Sequence, residues 1–112
     1  MNVTIHTHQE FERQFKRYRK KYHSLTTDFR NFLKSLEENP FQGSSLGNGL
    51  RKVRFGISDK KGGKRGGMRV ITFSVNKLDD ETINITLLYI YDKSEMGNVS
   101  DKFLASLVSS QF

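Results

Sequence analysis

Apolar positions along the chain change period twice, and the changes divide it into elements. Residues 3–6 alternate as a short first strand. Thr7 then stands where a helix N-cap belongs, with Glu10 three residues on to complete a capping box. Phe11, Phe15, Tyr18 and Tyr22 follow at i, i+4, i+7 and i+11, one stripe of a helix whose other face carries Arg13, Lys16, Arg17, Arg19, Lys20 and Lys21. A helix this amphipathic must bury its apolar stripe, so the aromatic rings read as core packing rather than as a base-stacking surface. The stretch "SLTTDF" breaks this helix and caps a second, with Phe29, Phe32, Leu33 and Leu36 inward. In "ENPFQG", Pro40 disfavours helix at Asn39 and ends it. Two helices joined by a short turn predict an α-hairpin.

Beyond the Gly/Ser-rich connection "SSLGNG" the period becomes two. In "LRKVRFGI", Val53, Phe55 and Ile57 point one way, and Lys52 and Arg54 the other. Ile71, Phe73 and Val75 alternate with Val70, Thr72 and Ser74. The segment "NKLDDET" turns the chain, and "INITLLYIY" is apolar on both faces, as a central strand is. Three strands joined in sequence predict an antiparallel meander. Ser100 caps a closing helix that turns Phe103, Leu104, Leu107 and Val108 inward. The expected fold class is α+β in the order β-α-α-β-β-β-α. A small antiparallel sheet is packed on one face by the N-terminal helical hairpin and a C-terminal helix. With 112 residues and no linker long enough to divide it, the chain is expected to be a single domain over 1–112.

Composition removes several classes of function. The absence of cysteine excludes disulfide scaffolds and thiolate metal sites. His6, His8 and His23 lack a partner carboxylate cluster and read as polar surface residues, so no metal site is expected. No apolar run reaches the length of a membrane span. "MNVTIHTHQEF" lacks the cationic start and apolar core of a signal peptide, so a cytoplasmic location is expected.

Charge adds a direction. The net charge is +7, from 19 basic and 12 acidic residues, and implies a polyanionic partner. Between positions 51 and 69 lie eight cations and one acid, Asp59, whereas the turn carrying Asp79, Asp80 and Glu81 is acidic. The loop "KKGGKRGGMR" puts four glycines among five cations. It is not a Walker A loop, because Lys64 is followed by Arg65 and the earlier glycine is missing. On its own it would be a solvated hairpin loop. Lys52 and Arg54 on the strand leading in, and Arg69 where the next strand begins, turn it into a concave positive site suited to phosphate. Nothing in the chain makes a cysteine nucleophile or a G-x-S-x-G elbow, and the acids of the turn read as solvated. In "YIYDKSE", Tyr91, Asp92, Lys93 and Glu95 lie where an apolar central strand emerges beside that site.

"GNGLRKVRFG", "GKRGGMRVITF" and "LLYIYDKSE", in that order and spacing, resemble the RelE/ParE superfamily of toxins, and particularly its HigB-like and RelE-like members. "EFERQFKRYRKKYHSLTTDFRNFLKSLEENPFQG" resembles their paired helices. The resemblance covers about residues 5–108, with 48–95 its specific part. It implies the toxin of a type II toxin–antitoxin pair, an mRNA interferase that cuts mRNA in the ribosomal A site by ribose 2′-hydroxyl attack on the adjacent phosphate. The implied partners are a cognate antitoxin, the ribosome and mRNA, with no membrane and no cofactor. The family's strand lysine pair matches Lys52 and Arg54, its next-strand arginine Arg69, and the cation after its last strand Lys93. Where RelE has a further arginine and tyrosine, this chain has Ser94 and Ser100, so the family's general base and acid do not carry over.

The reaction needs a base for the 2′-hydroxyl, charge stabilisation of the phosphorane and an acid for the leaving 5′-oxygen. No metal is required. Arg54 and Arg69 suit charge stabilisation, because guanidinium forks match phosphate oxygens. Lys52 and Lys93 are candidates for proton transfer, since like charge disfavours an ammonium; Glu95 is a further candidate, as base or as the orienter of a cation. Arg51, Lys60, Lys61, Lys64, Arg65 and Tyr91 are expected to contact RNA. Two other functions fit the same basic surface: a non-enzymatic ParE-like toxin that inhibits DNA gyrase, and a basic RNA- or ribosome-binding module.

Overall fold

A computed structural model describes residues 2–58, 67–77 and 81–111. The order is β1 (Asn2–Thr7), α1 (Gln9–Lys21), α2 (Leu25–Glu38), β2 (Ser44–Gly47), β3 (Leu50–Phe55), β4 (Met68–Lys77), β5 (Thr82–Asp92) and α3 (Asp101–Gln111). The α+β class is as the hydrophobic periods predict, and β3, β4 and β5 form the expected antiparallel meander. The sheet has five strands in the order β1-β5-β4-β3-β2. It is mixed rather than antiparallel, because β1 runs parallel to β5, with Ile5 opposite Ile85.

Strand β2 lies where the sequence reads as a connection. It is four residues long and exposed throughout, so it has no apolar alternation to reveal it. Its signal is instead the pair Asn48-Gly49, which joins Gly47 to its partner Leu50 with φ of 54° and 83°. Positive φ at both central residues is what a two-residue hairpin turn needs to match the twist of its strands.

The helices cover both faces of the sheet, not one. Phe11 and Tyr18 of α1, and Leu25, Phe32 and Leu36 of α2, pack with Val53, Phe55, Met68, Val70, Ile83, Ile85, Leu87 and Ile90. On the opposite face Leu104 and Leu107 of α3 pack with Ile71, Leu88, Tyr89 and Tyr91. A bulge lets β5 serve both layers: Leu87 pairs with Thr72 and Tyr89 with Ile71, leaving Leu88 as an extra residue. Odd-numbered residues face the hairpin before the bulge and even-numbered ones after it, so Leu87 and Ile90 share one core while Tyr89 and Tyr91 join the other. The apolar character of "INITLLYIY" on both faces thus answers to two layers of helix.

One of two expected helix caps differs. Ser100 caps α3 as expected, its Oγ accepting from the Phe103 N–H at 3.1 Å. For α1 the cap is His8, whose Nδ1 accepts from the Glu10 N–H at 2.9 Å, because Thr7 is still paired with Leu87 in the sheet. Beyond Leu87 the outer side of β5 has no strand partner, and α1 runs along it. There the Tyr18 hydroxyl accepts from the Asp92 N–H at 3.1 Å, closing an edge that would otherwise invite pairing with another chain.

Candidate functional site

The β3–β4 register puts Arg54 directly opposite Arg69 and Lys52 opposite Ile71; across the next ladder Arg69 faces Tyr91. Val53, Phe55, Met68 and Val70 turn toward the helical hairpin. The alternation of a strand therefore sends Lys52, Arg54 and Arg69 to the α3 face. The result is a transverse row, Arg54–Arg69–Tyr91, at the end of the sheet where β3 leaves and β4 enters. Like charges directly opposite across two strands repel and weaken the sheet. Arg69 is also only 3% exposed, and its Nη1 donates to the Met68 carbonyl oxygen at 3.3 Å. Burial, and after it the charge of Arg54, push its guanidinium below the usual arginine range, against a smaller upward pull from Tyr91 and Asp92. Arg54 itself is exposed. One guanidinium is thus buried in the sheet and a second is exposed beside it.

Lys93 comes to the same end of the sheet. It lies exposed in the turn after β5, and its backbone N–H donates to the Gly67 carbonyl oxygen at 3.5 Å, two residues before Arg69. At Gly67, just before β4, the chain passes close against β3: a Cβ there would stand 2.4 Å from the Phe55 carbonyl oxygen. Only glycine lets the two strands approach closely enough to set Arg54 against Arg69.

The turn that carries Lys93 is built on Asp92, a residue whose part sequence reasoning did not foresee. Its carboxylate is fully buried. It accepts a short hydrogen bond from the Tyr22 hydroxyl, and its Oδ1 accepts from the Ser94 N–H at 2.9 Å and the Ser94 hydroxyl at 2.8 Å. Tyr18 and Tyr22 were legible as an apolar stripe, but their hydroxyls hold the end of β5. Two polar-tipped rings within a stripe otherwise made of phenylalanine were the available signal.

Not every expected site residue joins the row. Arg51 faces the hairpin side, its Nη1 donating to the Gly43 carbonyl oxygen at 3.4 Å and its guanidinium 5.8 Å from the Phe41 ring centroid. One residue along a strand reverses the face, which separates Arg51 from Lys52. Glu95 points to α1, with its carboxylate 3.2 Å from Arg17 Nη1 and 3.6 Å from Lys21 Nζ. Tyr91 does stand in the row, but it is 1% exposed and packs on Tyr89 with ring centroids 6.1 Å apart, as part of the core under α3. Lys60, Lys61, Lys64 and Arg65 lie outside the described residues.

Among the described residues no group of three or more His, Asp or Glu side chains stands together as metal ligands, and no helix is long and apolar enough to cross a membrane. Neither models of known families nor characterised proteins match this chain.

Proposed function

We propose that the chain is a toxin of the RelE/ParE kind, with that family's topology, acting in the cytoplasm as a ribosome-dependent mRNA endoribonuclease. The observation that carries this reading is the opposition of Arg54 and Arg69 on one sheet face, one buried and one exposed. Two guanidinium groups set against each other cost stability and are relieved by a phosphate between them, whose oxygens match both forks. The three sequence blocks that resemble the family supply the rest of the support.

In this reading the ribose 2′-hydroxyl attacks the adjacent phosphorus. Its proton passes to a base, the P–O5′ bond breaks, and the 5′-oxygen takes a proton from an acid. The products are a 2′,3′-cyclic phosphate and a free 5′-hydroxyl. Arg69, which cannot move far, stabilises the charge that grows on the non-bridging oxygens, and Arg54 closes on it from the exposed side. Lys52 and Lys93 carry the protons. Glu95 is assigned a structural part, because taking a proton would require it to leave both Arg17 and Lys21. The ribosome supplies the geometry of the message, and an antitoxin with an acidic, partly disordered segment covers the basic face when the toxin is silent.

Inducing the chain alone in bacteria, with growth followed and primer extension run on a translated message, tests this. Growth arrest with new 5′ ends inside codons is expected, together with rescue and a co-purifying complex when the neighbouring antitoxin gene is co-expressed. Arrest with intact messages and stalled DNA supercoiling would assign the chain to gyrase inhibition instead. Binding to ribosomes without arrest would leave a plain RNA-binding module.

A further inference from the structure

Asp92 is a buried carboxylate beside a row of cations, and the proposed cleavage gives its charge no part. Across the β4–β5 ladder it pairs with Met68, one position from Arg69. Met68 and Ile90 pack toward the helical hairpin, and so does the Asp92 side chain, which bonds to Tyr22 at the end of α1. Arg69 and Arg54 project from the other face of the sheet. The anion thus stands behind the row, one strand position from its buried member.

Its partners suit the charged form. The Tyr22 hydroxyl donates to Oδ2, and the Ser94 N–H and hydroxyl both donate to Oδ1. An ionised carboxylate only accepts, so this set of donors fits it without rearrangement. The backbone is held as well: the Asp92 N–H donates to the Tyr18 hydroxyl, and the Asp92 carbonyl oxygen accepts from the Glu95 and Met96 N–H groups at 3.0 and 3.1 Å. A charge fixed in a buried place acts more strongly on its neighbours than one in water, because little solvent or salt screens it. Burial and Arg54 push the Arg69 guanidinium down, and the Tyr91 and Asp92 side chains pull it the other way.

We infer that Asp92 is the counter-charge of the row: from behind the sheet it weakens the attraction of Arg69 and Arg54 for phosphate, so that bare nucleic acid is held loosely. Asp92 is buried and does not reach a substrate, so it acts through the two guanidinium groups. A row without it would attract any polyanion more strongly. With it, the grip is partial, and a surface that presents the strand in place has to supply the rest. The inference rests on the proposed reading of the row as a phosphate site on an RNA-cutting protein, and it names what sets the strength of that site.

The test is equilibrium binding of a short fluorescent DNA strand to the full chain at fixed salt. DNA carries the phosphates but no 2′-hydroxyl to attack, so neither ribosome nor cleavage enters. Asp92→Asn keeps the shape and an acceptor for Ser94 and removes the charge; it should bind the strand roughly 3- to 10-fold tighter. Asp92→Ser, a second neutral variant, should tighten binding in the same direction. Tyr22→Phe disturbs the same corner but keeps the charge, and should leave binding unchanged. In an Arg69→Met background most of the gain from Asp92→Asn should disappear, because the charge has lost its nearest target. Unchanged or weaker binding by the neutral variants would overturn the inference. So would an equal gain in Tyr22→Phe or in the Arg69→Met background. Loss of the folded chain in both neutral variants, followed by circular dichroism, would make Asp92 a structural brace and overturn it as well. If the gain holds while no message is cut on ribosomes, the endoribonuclease reading falls and the counter-charge stands. If messages are cut but the gain is absent, the reverse holds.

Discussion

Arg69 is the residue at which stability and function should separate. Its charge is disfavoured by burial and by Arg54 opposite, so the folded state is less stable for carrying it. Methionine keeps the length of the arginine stem and removes the like charge opposite Arg54, at the loss of the bond to the Met68 carbonyl oxygen. Arg69→Met should therefore keep the fold, with stability in urea unfolding changed by no more than about 2 kcal/mol. The same variant should lose about 10²–10³ in cleavage rate, the usual effect of removing one donor to a developing oxyanion. A destabilised Arg69→Met that still cuts would mean the arginine is there to hold the sheet. Glu95 should behave in the opposite way. Its exposed pairs with Arg17 and Lys21 contribute little, so Glu95→Gln should cost no more than about 1 kcal/mol and change single-turnover cleavage only a few-fold. A loss as large as that expected at Arg69 would restore Glu95 as the general base.

At the scale of elements, the row depends on how closely β3 and β4 approach. Gly67→Ala would put a methyl against the Phe55 carbonyl oxygen and the Gly56 Cα, both main chain and unable to yield cheaply. About 1–3 kcal/mol of destabilisation is expected from the overpacking. Cleavage should fall further than the remaining folded fraction explains, since Arg54 and Arg69 part at the same point. Activity in proportion to the folded fraction would show that the register of the two arginines is immaterial. Much of this was legible from the chain. The stripe of Phe11, Phe15, Tyr18 and Tyr22 marks α1, and the alternation around Val53 and Ile71 marks β3 and β4 and puts Lys52 and Arg54 together. What stayed hidden has physical causes. Strand β2 buries nothing, so only the Asn48-Gly49 turn betrayed it. The bulge at Leu88 changes which residues face which layer without altering the apolar run that contains it. The role of Asp92 depends on hydroxyls about seventy positions away in the chain, which no local pattern connects.

On the scale of the whole molecule, acid should loosen the contact between the helical hairpin and the sheet before neutral pH does anything to it. Burial works to raise the Asp28 carboxyl, but its bonds from Ser58 and Ser24 outweigh it and the net direction is downward; Glu10 is lowered chiefly by its bond from Arg13. Groups lowered in the folded state contribute stability above their unfolded range, and that contribution is lost as pH falls through the folded values. Thermal stability should thus be flat near neutrality and drop below about pH 4. Asp28→Asn should shallow that acid limb, and an unchanged limb would show that the Ser58 contact is not retained in solution. The central claim is that a cationic row on one sheet face cuts RNA held by a ribosome. Its most direct measurement adds the purified chain, without added metal, to ribosomes carrying a defined message with an A-site codon, and maps 5′ ends by primer extension. A ribosome-dependent cut within that codon, bearing a 2′,3′-cyclic phosphate and absent with Arg69→Met, is the predicted result. Intact message on the ribosome, or equal cutting of naked RNA by wild type and Arg69→Met, would contradict it.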